Sequence, residues 1–219
     1  MKAVLFDLDG TLLDTLQDIA NACNAALARH GFPAHPVPDY RYFVGDGVAT
    51  LISRVVPRQH QTTATLANVA AAYGEEYQKS WNATTRPYDG IPELLDQLTA
   101  RGIALTVLSN KPDDFTCRCV AEFLPKWRFA VVQGASQAYP PKPDPAAARH
   151  IAATLNLPAH EFVYLGDTNT DMKTAVSAGM FPMGVLWGFR DAEELTKSGA
   201  QRVIHHPSEF FKALFATAQ

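Results

Sequence analysis

The chain has 219 residues, of which 47% are hydrophobic and 19% charged, and its 19 Lys plus Arg against 22 Asp plus Glu give a formal net charge of −3. That apolar share predicts a packed core and excludes a disordered chain, and the near-neutral balance lacks the basic footprint of a nucleic-acid binder. No apolar run reaches the ~18 residues of a membrane span. The opening Met1-Lys2-Ala3-Val4-Leu5-Phe6-Asp7 lacks the longer apolar stretch and small-residue cleavage site of a signal peptide, so a cytoplasmic setting is expected. The odd set Cys23, Cys117 and Cys119 has no CxxC spacing and reads as small helix or core residues in a reducing compartment.

In chain order, Ala3–Phe6 is the first short apolar run and reads as a buried strand. Asp7-Leu8-Asp9-Gly10-Thr11 follows it. Residues two apart on extended backbone face the same side, so Asp7 and Asp9 converge at the strand's carboxyl end while Leu8 turns back into packing. Two adjacent carboxylates repel and call for a cation or a shared proton. From Asp14 to about Asn82 no strand pattern is visible. Leu16, Ile19, Ala20, Cys23 and Leu27 recur at helical spacing, as do Leu51, Ile52, Val55 and Val56, and then Leu66, Val69, Ala70, Tyr73 and Tyr77. This predicts an all-helical module over residues 15–82, inserted into a core made of 1–14 and 83–219. Thr84–Tyr88 is expected to bring the chain back to the sheet.

Pro92–Arg101 is a predicted helix with Leu94, Leu95 and Leu98 on one face. The strand Ile103–Leu108 ends at Ser109-Asn110, an oxyanion-binding pair or a turn and N-cap. Phe129–Val132 is the next strand. The Pro-rich Tyr139–Pro145 is a loop whose flanking prolines fix the backbone around Lys142. Asp144 is placed to cap the helix Pro145–Leu155, with Pro145 at its first position. Phe162–Leu165 is a strand followed by Gly166-Asp167-Thr168-Asn169-Thr170-Asp171, a second acidic strand end. Met172–Ala178 is helical, with Gly179 placed to stop it. Met183–Leu186 and Arg202–Ile204 complete the strands. The alternation predicts an α/β fold, a Rossmann-like parallel sheet with helices on both faces plus the helical insert. Oxygen ligands of this kind suit a hard cation, and Mg²⁺ held by one or two carboxylates favours phosphate substrates.

Asp7-Leu8-Asp9-Gly10-Thr11, Ser109-Asn110, Lys142 and Gly166-Asp167 with Asp171, in this order, resemble the four motifs of the haloacid dehalogenase superfamily, most of whose members are phosphatases. The match covers both core segments, and the insert resembles a C1-type cap in position and type. The resemblance implies that Asp7 is a nucleophile forming an aspartyl phosphate and that Asp9 is its general acid and base. It implies Mg²⁺ held by Asp7, Asp9 and Asp167, with Asp171 a further ligand or an anchor behind them. Ser109, Asn110, Thr11 and Lys142 would bind the phosphoryl group, with Lys142 also neutralising Asp7. Asp9 separates the chain from haloalkanoic dehalogenases, which lack the second acid. The lone insert lysine, Lys79, lies too near the exit for the Schiff-base role of phosphonate hydrolases.

Phe43-Val44-Gly45-Asp46-Gly47-Val48 resembles the cap loop of phosphoglycolate phosphatases, which makes Gly45, Asp46 and Gly47 candidate specificity residues. Arg41 and Arg54 flank it. The expected activity is hydrolysis of a small phosphorylated metabolite, phosphoglycolate first. The alternatives are another small phosphate (pyrophosphate, a nucleotide or a sugar phosphate), a phosphosugar mutase or, more remotely, a non-catalytic binding module. A monomer or homodimer with no nucleic-acid or membrane partner is expected. Lys111, beside Ser109-Asn110, reaches either the substrate or solvent.

Overall fold

The computed structural model describes residues 1–215. Two compact units form, one from Met1–Leu13 together with the chain from Pro87 on, the other from Asp14–Arg86.

The first unit is built on a six-stranded sheet. Its strands are β1 (Ala3–Phe6), β4 (Ala104–Pro112), β5 (Phe129–Ala135), β6 (Phe162–Gly166), β7 (Phe181–Val185) and β8 (Arg202–Ile204). They stand in the order β5-β4-β1-β6-β7-β8, and every pairing is parallel. The chain fills one side of β1 with β4 and β5, then crosses to the other side for β6, β7 and β8. That reversal opens a crevice at the carboxyl ends of β4, β1 and β6, the place where open parallel sheets bind ligands. Phe6 is in register with Val107 and with Leu165, so the three strands reach the crevice at one level.

Alternation explains the packing. Ala3 and Leu5 of β1 and Phe162 and Tyr164 of β6 share one face, and small residues let two helices approach it. These are Ala147, Ala148 and Ala152 of α7 (Ala146–Thr154), beside the larger Ile151, and Ala175 and Ala178 of α8 (Asn169–Ala178). Gly179 ends α8 in the left-handed region at φ +78°, with its N–H on the carbonyls of Ala175 and Val176. By its hydrogen bonds α7 begins one residue later than the prolines suggest, and Asp144 Oδ1 still accepts from Ala146 N at 2.8 Å. The helix α5 (Ile91–Ala100) starts after Gly90 and buries Leu94, Leu95 and Leu98. Two short helices, α9 (Ala192–Lys197) and α10 (Phe210–Phe215), flank β8 in the chain.

The structure departs from the expected pattern in three places. β4 runs to Pro112 rather than Leu108, so Ser109, Asn110 and Lys111 are strand residues, all buried. The helix α6 (Asp113–Phe123) is not visible in the apolar pattern, because only Thr116, Cys119 and Val120 are buried along it. The returning segment does not rejoin the main sheet. Its β3 (Arg86–Pro87) belongs to a two-stranded sheet with β2 (Leu13–Asp14).

The second unit is helical: α1 (Leu16–Arg29), α2 (Tyr40–Phe43), α3 (Val48–Val55) and α4 (Thr63–Ser80). Its two ends are tied by Asp18, a fully buried carboxylate on α1. Asp18 accepts from Thr84 N at 3.0 and 3.1 Å, Thr84 Oγ1 at 2.7 Å, Thr85 N at 2.9 Å and Thr85 Oγ1 at 2.8 Å. Burial works against the charge, but the donors from Thr84 and Thr85 outweigh it and hold the carboxyl below its usual range. Its contribution is therefore present above the unfolded value near pH ~4 and is lost as pH falls through the folded one. Asp18→Ala would leave the buried Thr85 N–H without its acceptor and strip the charged acceptor from the exposed Thr84 and from the Thr85 hydroxyl, which keeps only Trp81 O at 3.1 Å. We expect it to lower unfolding free energy by ~2–4 kcal/mol in urea titrations at pH 7. A loss under ~0.5 kcal/mol would show that the clasp carries no stability.

Candidate active site

Five chain segments converge on the crevice. Asp7 stands one residue past β1, with its N–H on Leu165 O at 3.0 Å, which ties it to β6. Its side chain is 7% exposed. Asp7 Oδ1 accepts from Leu8 N at 2.7 Å and pairs with Lys142 Nζ at 2.9 Å. Leu8 is fully buried, as alternation requires. Burial pushes the Asp7 carboxyl up to about 7 and Asp171 adds to that, while Lys142 opposes it. One lysine therefore does not compensate the negative charge collected here.

Lys142 lies in the loop between β5 and α7, and its side chain is 2% exposed. Its ammonium also meets Asp171 Oδ1 at 2.6 Å. Burial alone would discharge it, but Asp171 and Asp7 more than offset that and hold it well above the ordinary lysine value. The loop is gripped through its backbone: Asn110 Nδ2 donates to Lys142 O at 3.1 Å, and Lys142 N donates to Asn110 Oδ1 at 2.8 Å. The Asn110 side chain is thus spent on both polar backbone groups of Lys142, which leaves the backbone near Asn110, rather than its side chain, as the part expected at a phosphoryl oxygen. Ser109 Oγ accepts from Lys111 N at 3.2 Å and is buried beside it.

Asp167 follows β6 and is fully buried. Its Oδ1 accepts from Thr11 Oγ1 at 2.9 Å and its Oδ2 from Phe189 N at 2.8 Å. Burial raises its pKa well above the ordinary value, Asp7 and Asp171 add to this, and the two donors only partly offset it. The Thr11 hydroxyl, expected at phosphate, is the donor that orients Asp167. Thr11 O in turn accepts from Trp187 Nε1 at 2.9 Å. Close approach explains Gly10, whose φ is +87° and whose added Cβ would stand 2.3 Å from Asp167 Oδ2.

Asp171 is the third residue of α8 and closes a capping box with Thr168. Its Oδ2 accepts from Thr168 N at 3.0 Å and Thr168 Oγ1 at 2.7 Å. Its Oδ1 takes Lys142 and also Tyr164 Oη at 3.3 Å. One oxygen already holds the Lys142 ammonium and the other the Thr168 donors, which fits Asp171 as the anchor of Lys142 better than as a metal ligand.

Asp7, Asp167 and Asp171 offer ligand oxygens that lie within 4.8 Å of one another. Hard oxygen donors, two of them on carboxyls raised by burial first and by their acidic neighbours second, fit a divalent cation such as Mg²⁺. Asp9 is set apart from this group. Its two oxygens lie 3.0 and 3.1 Å from Lys111 Nζ.

Three groups here were not legible in the sequence. Lys111 was visible beside Ser109-Asn110, but its partner was not. The Thr168 hydroxyl was hidden inside the acidic motif. Phe189 N belongs to the turn after β7, where Trp187-Gly188-Phe189 at the end of another parallel strand was the available signal.

The remaining candidates belong to the helical unit. Gly45 and Gly47 have φ of +120° and +85°. Asp46 Oδ2 pairs with Arg54 Nη2 at 2.6 Å, and Arg54 Nη1 donates to Phe43 O at 3.0 Å. Arg54 is therefore a brace of the loop rather than a free cation. Lys79 is surface-exposed and paired with Glu76 at 2.8 Å, unlike a Schiff-base lysine, which needs burial.

Residues 4–185 match the haloacid dehalogenase-like hydrolase family. Curated relatives include a phosphoglycolate phosphatase from Neisseria meningitidis, 31% identical over 205 residues that cover 92% of this chain and 87% of that one. Another, from Vibrio parahaemolyticus, is 28% identical over 223 residues and covers 100% of this chain and 98% of that one. Among solved structures, a provisionally named phosphoglycolate phosphatase from Lactobacillus delbrueckii subsp. bulgaricus superposes with a TM-score of 0.92 at 28% identity, covering 99% of each chain.

Proposed function

The chain belongs to the haloacid dehalogenase-like hydrolase family, and on that premise we propose that it is a Mg²⁺-dependent phosphatase of small phosphomonoesters, 2-phosphoglycolate foremost, working through an aspartyl phosphate on Asp7. The observation that carries this reading is the buried Asp7–Lys142 pair at 2.9 Å, with Asp9 two residues on and Asp167 at the end of the adjoining strand.

Asp7 attacks phosphorus, and the bond from phosphorus to the leaving oxygen breaks. Asp9 gives that oxygen its proton. The Asp9 carboxylate so formed then takes a proton from the water that attacks the phosphorylated Asp7, which releases phosphate and restores both acids. Lys142 offsets the charge of Asp7 and of the transferring group, and Asp171 and Asn110 hold it there. The Ser109 hydroxyl binds a phosphoryl oxygen. Asp7, Asp167 and the Asp9 carbonyl would hold the Mg²⁺, which when bound lowers the repulsion between Asp7 and an anionic phosphate and stabilises developing charge.

In this reading the helical unit is a C1-type cap, and Gly45-Asp46-Gly47 contributes to substrate choice. The names of the curated relatives favour 2-phosphoglycolate over other small phosphates. No helix among the described residues is long and apolar enough to cross a membrane, and a cytoplasmic monomer or homodimer is the setting we propose.

The test is phosphate release from 2-phosphoglycolate, pyrophosphate, nucleoside monophosphates and sugar phosphates, with Mg²⁺ and with EDTA. We expect kcat/KM for 2-phosphoglycolate to exceed the others by at least ~100-fold, about 2.7 kcal/mol of transition-state discrimination. EDTA should abolish turnover and Mg²⁺ restore it. Even, weak turnover across the panel would discard the substrate assignment, and turnover unchanged in EDTA would remove the metal.

A further inference from the structure

The buried ammonium of Lys111 has no part in the steps above, and its geometry is specific. Its side chain is 4% exposed, and Nζ lies 3.0 Å from Asp9 Oδ1 and 3.1 Å from Asp9 Oδ2. The lysine backbone is fixed on both sides. Its N–H donates to Ser109 Oγ at 3.2 Å, and its carbonyl accepts from Thr116 Oγ1 at 3.1 Å. Behind it Gly134 packs so closely that an added Cβ would stand 2.7 Å from Lys111 O. A long, flexible side chain thus projects from an anchored strand residue onto both oxygens of one carboxylate. Asp9, by contrast, sits in the turn after β1 and is the only one of the four site carboxylates outside the Asp7, Asp167 and Asp171 group.

We propose that Lys111 is a positioning residue for the proton transfer made by Asp9, holding that carboxyl group by one oxygen while the other carries the proton. The inference rests on the reading of Asp9 as the general acid. Two-point contact fixes the carboxylate plane. When Asp9 is protonated, one oxygen bears O–H and the other still accepts from Nζ. As the bond from phosphorus to the leaving oxygen breaks and the Asp9 proton moves to that oxygen, Asp9 becomes anionic and regains both contacts with Lys111. The interaction is therefore stronger after transfer than before it, which is what a contribution to rate requires. A general acid contributes ~10²–10⁴-fold where the leaving group needs its proton, and far less where it departs as a stable anion.

Leaving-group dependence therefore tests the proposal. The wild type, Lys111→Met, Lys111→Arg and Asp9→Asn are compared on kcat/KM with three substrates. 2-Phosphoglycolate and glycerol 2-phosphate release alcohols, the second without a carboxylate, and p-nitrophenyl phosphate releases a phenolate. kcat/KM is used because it reports the steps up to departure of the leaving group. Lys111→Met is expected to lower it by about 30-fold or more for both alkyl esters and by less than about 3-fold for p-nitrophenyl phosphate. Lys111→Arg, which keeps charge and reach, is expected to recover most of the loss. Far-UV circular dichroism and thermal unfolding of each variant identify any that fail to fold; should Lys111→Met be one of them, Lys111→Gln, polar but uncharged, takes its place with the same expected losses. An equal loss on all three substrates would overturn the proposal in favour of general phosphate binding. A loss confined to 2-phosphoglycolate would overturn it in favour of a carboxylate-reading lysine, and no loss would overturn it outright. Asp9→Asn separates the two levels: if it lacks leaving-group discrimination, the reading of Asp9 fails, whatever Lys111 does.

Discussion

Asp7→Asn is expected to lower kcat/KM for the preferred substrate by at least ~10⁴-fold, because a carboxamide cannot form the acyl phosphate. The fold should survive. Asn Oδ1 can still accept from Leu8 N, as Asp7 Oδ1 does at 2.7 Å, and Lys142 keeps Asp171 at 2.6 Å. The sign of the stability change follows from the raised carboxyl. In the metal-free protein Asp7 reaches about 7 when folded against 3.8 ordinarily, through burial first and Asp171 second. Its ionisation therefore opposes folding, and metal-free stability falls as pH rises from ~4 through ~7. Removing that charge should raise metal-free stability at pH 8 by ~1–4 kcal/mol. Thermal unfolding of both proteins in EDTA checks this. A mutant that keeps activity within ~10-fold excludes Asp7 as nucleophile, and one that is inactive and unfolded says nothing about chemistry, which is why both are measured.

Lys142→Met is expected to be costly twice over. It leaves Asp7 and Asp171 facing one another without the ammonium that lies 2.9 and 2.6 Å from them. Breaking a buried ion pair by removing one partner costs ~3–5 kcal/mol, and losing a charge donor to the transferring group costs ~10²–10³-fold in kcat. The ammonium itself cannot be titrated away in ordinary buffers: with its value raised above 10.5, the lysine loses its charge only as pH rises through the folded value, whereas the Asp7 half of the pair weakens as pH falls through about 7. Mutation is therefore the way to read it, by urea unfolding and by kcat. Asn110→Ala provides an internal comparison, since it frees the Lys142 backbone while leaving the ammonium. A Lys142→Met protein with wild-type stability and turnover would contradict the site described here.

Apart from Lys142, which its flanking prolines single out, the site residues that could be read from the sequence are those announced by an apolar strand. Ala3–Phe6 and Phe162–Leu165 mark strand ends, and the acids that follow, Asp7 and Asp167, reach the crevice because parallel neighbours share one level there. The crossing from β5 over β1 to β6 is not written in any local pattern, yet it is what creates the crevice. Spacing also cannot show which polar side chains are used up by the protein itself. Asn110 and Thr11 both lie in the right motifs, but their side chains bond to Lys142 and Asp167. The β4 extension was hidden because Ser109, Asn110 and Lys111 are polar, although all are buried. Burial of polar residues at a strand end is a mark of the site and defeats a reading based on apolar runs. Asp18 was missed for a different reason. It lies within a helical pattern, and its partners Thr84 and Thr85 stand 66 and 67 residues away in sequence.

The most direct test of the central claim is to trap the intermediate. Enzyme with Mg²⁺ is mixed with phosphorus-labelled 2-phosphoglycolate, quenched in acid on the millisecond scale, digested and mapped by mass spectrometry. The account predicts label on the peptide containing Asp7, appearing before free phosphate, decaying as phosphate forms, and absent in Asp7→Asn. Free phosphate released in a single turnover with no labelled Asp7 at any time, or label on another residue, would contradict it.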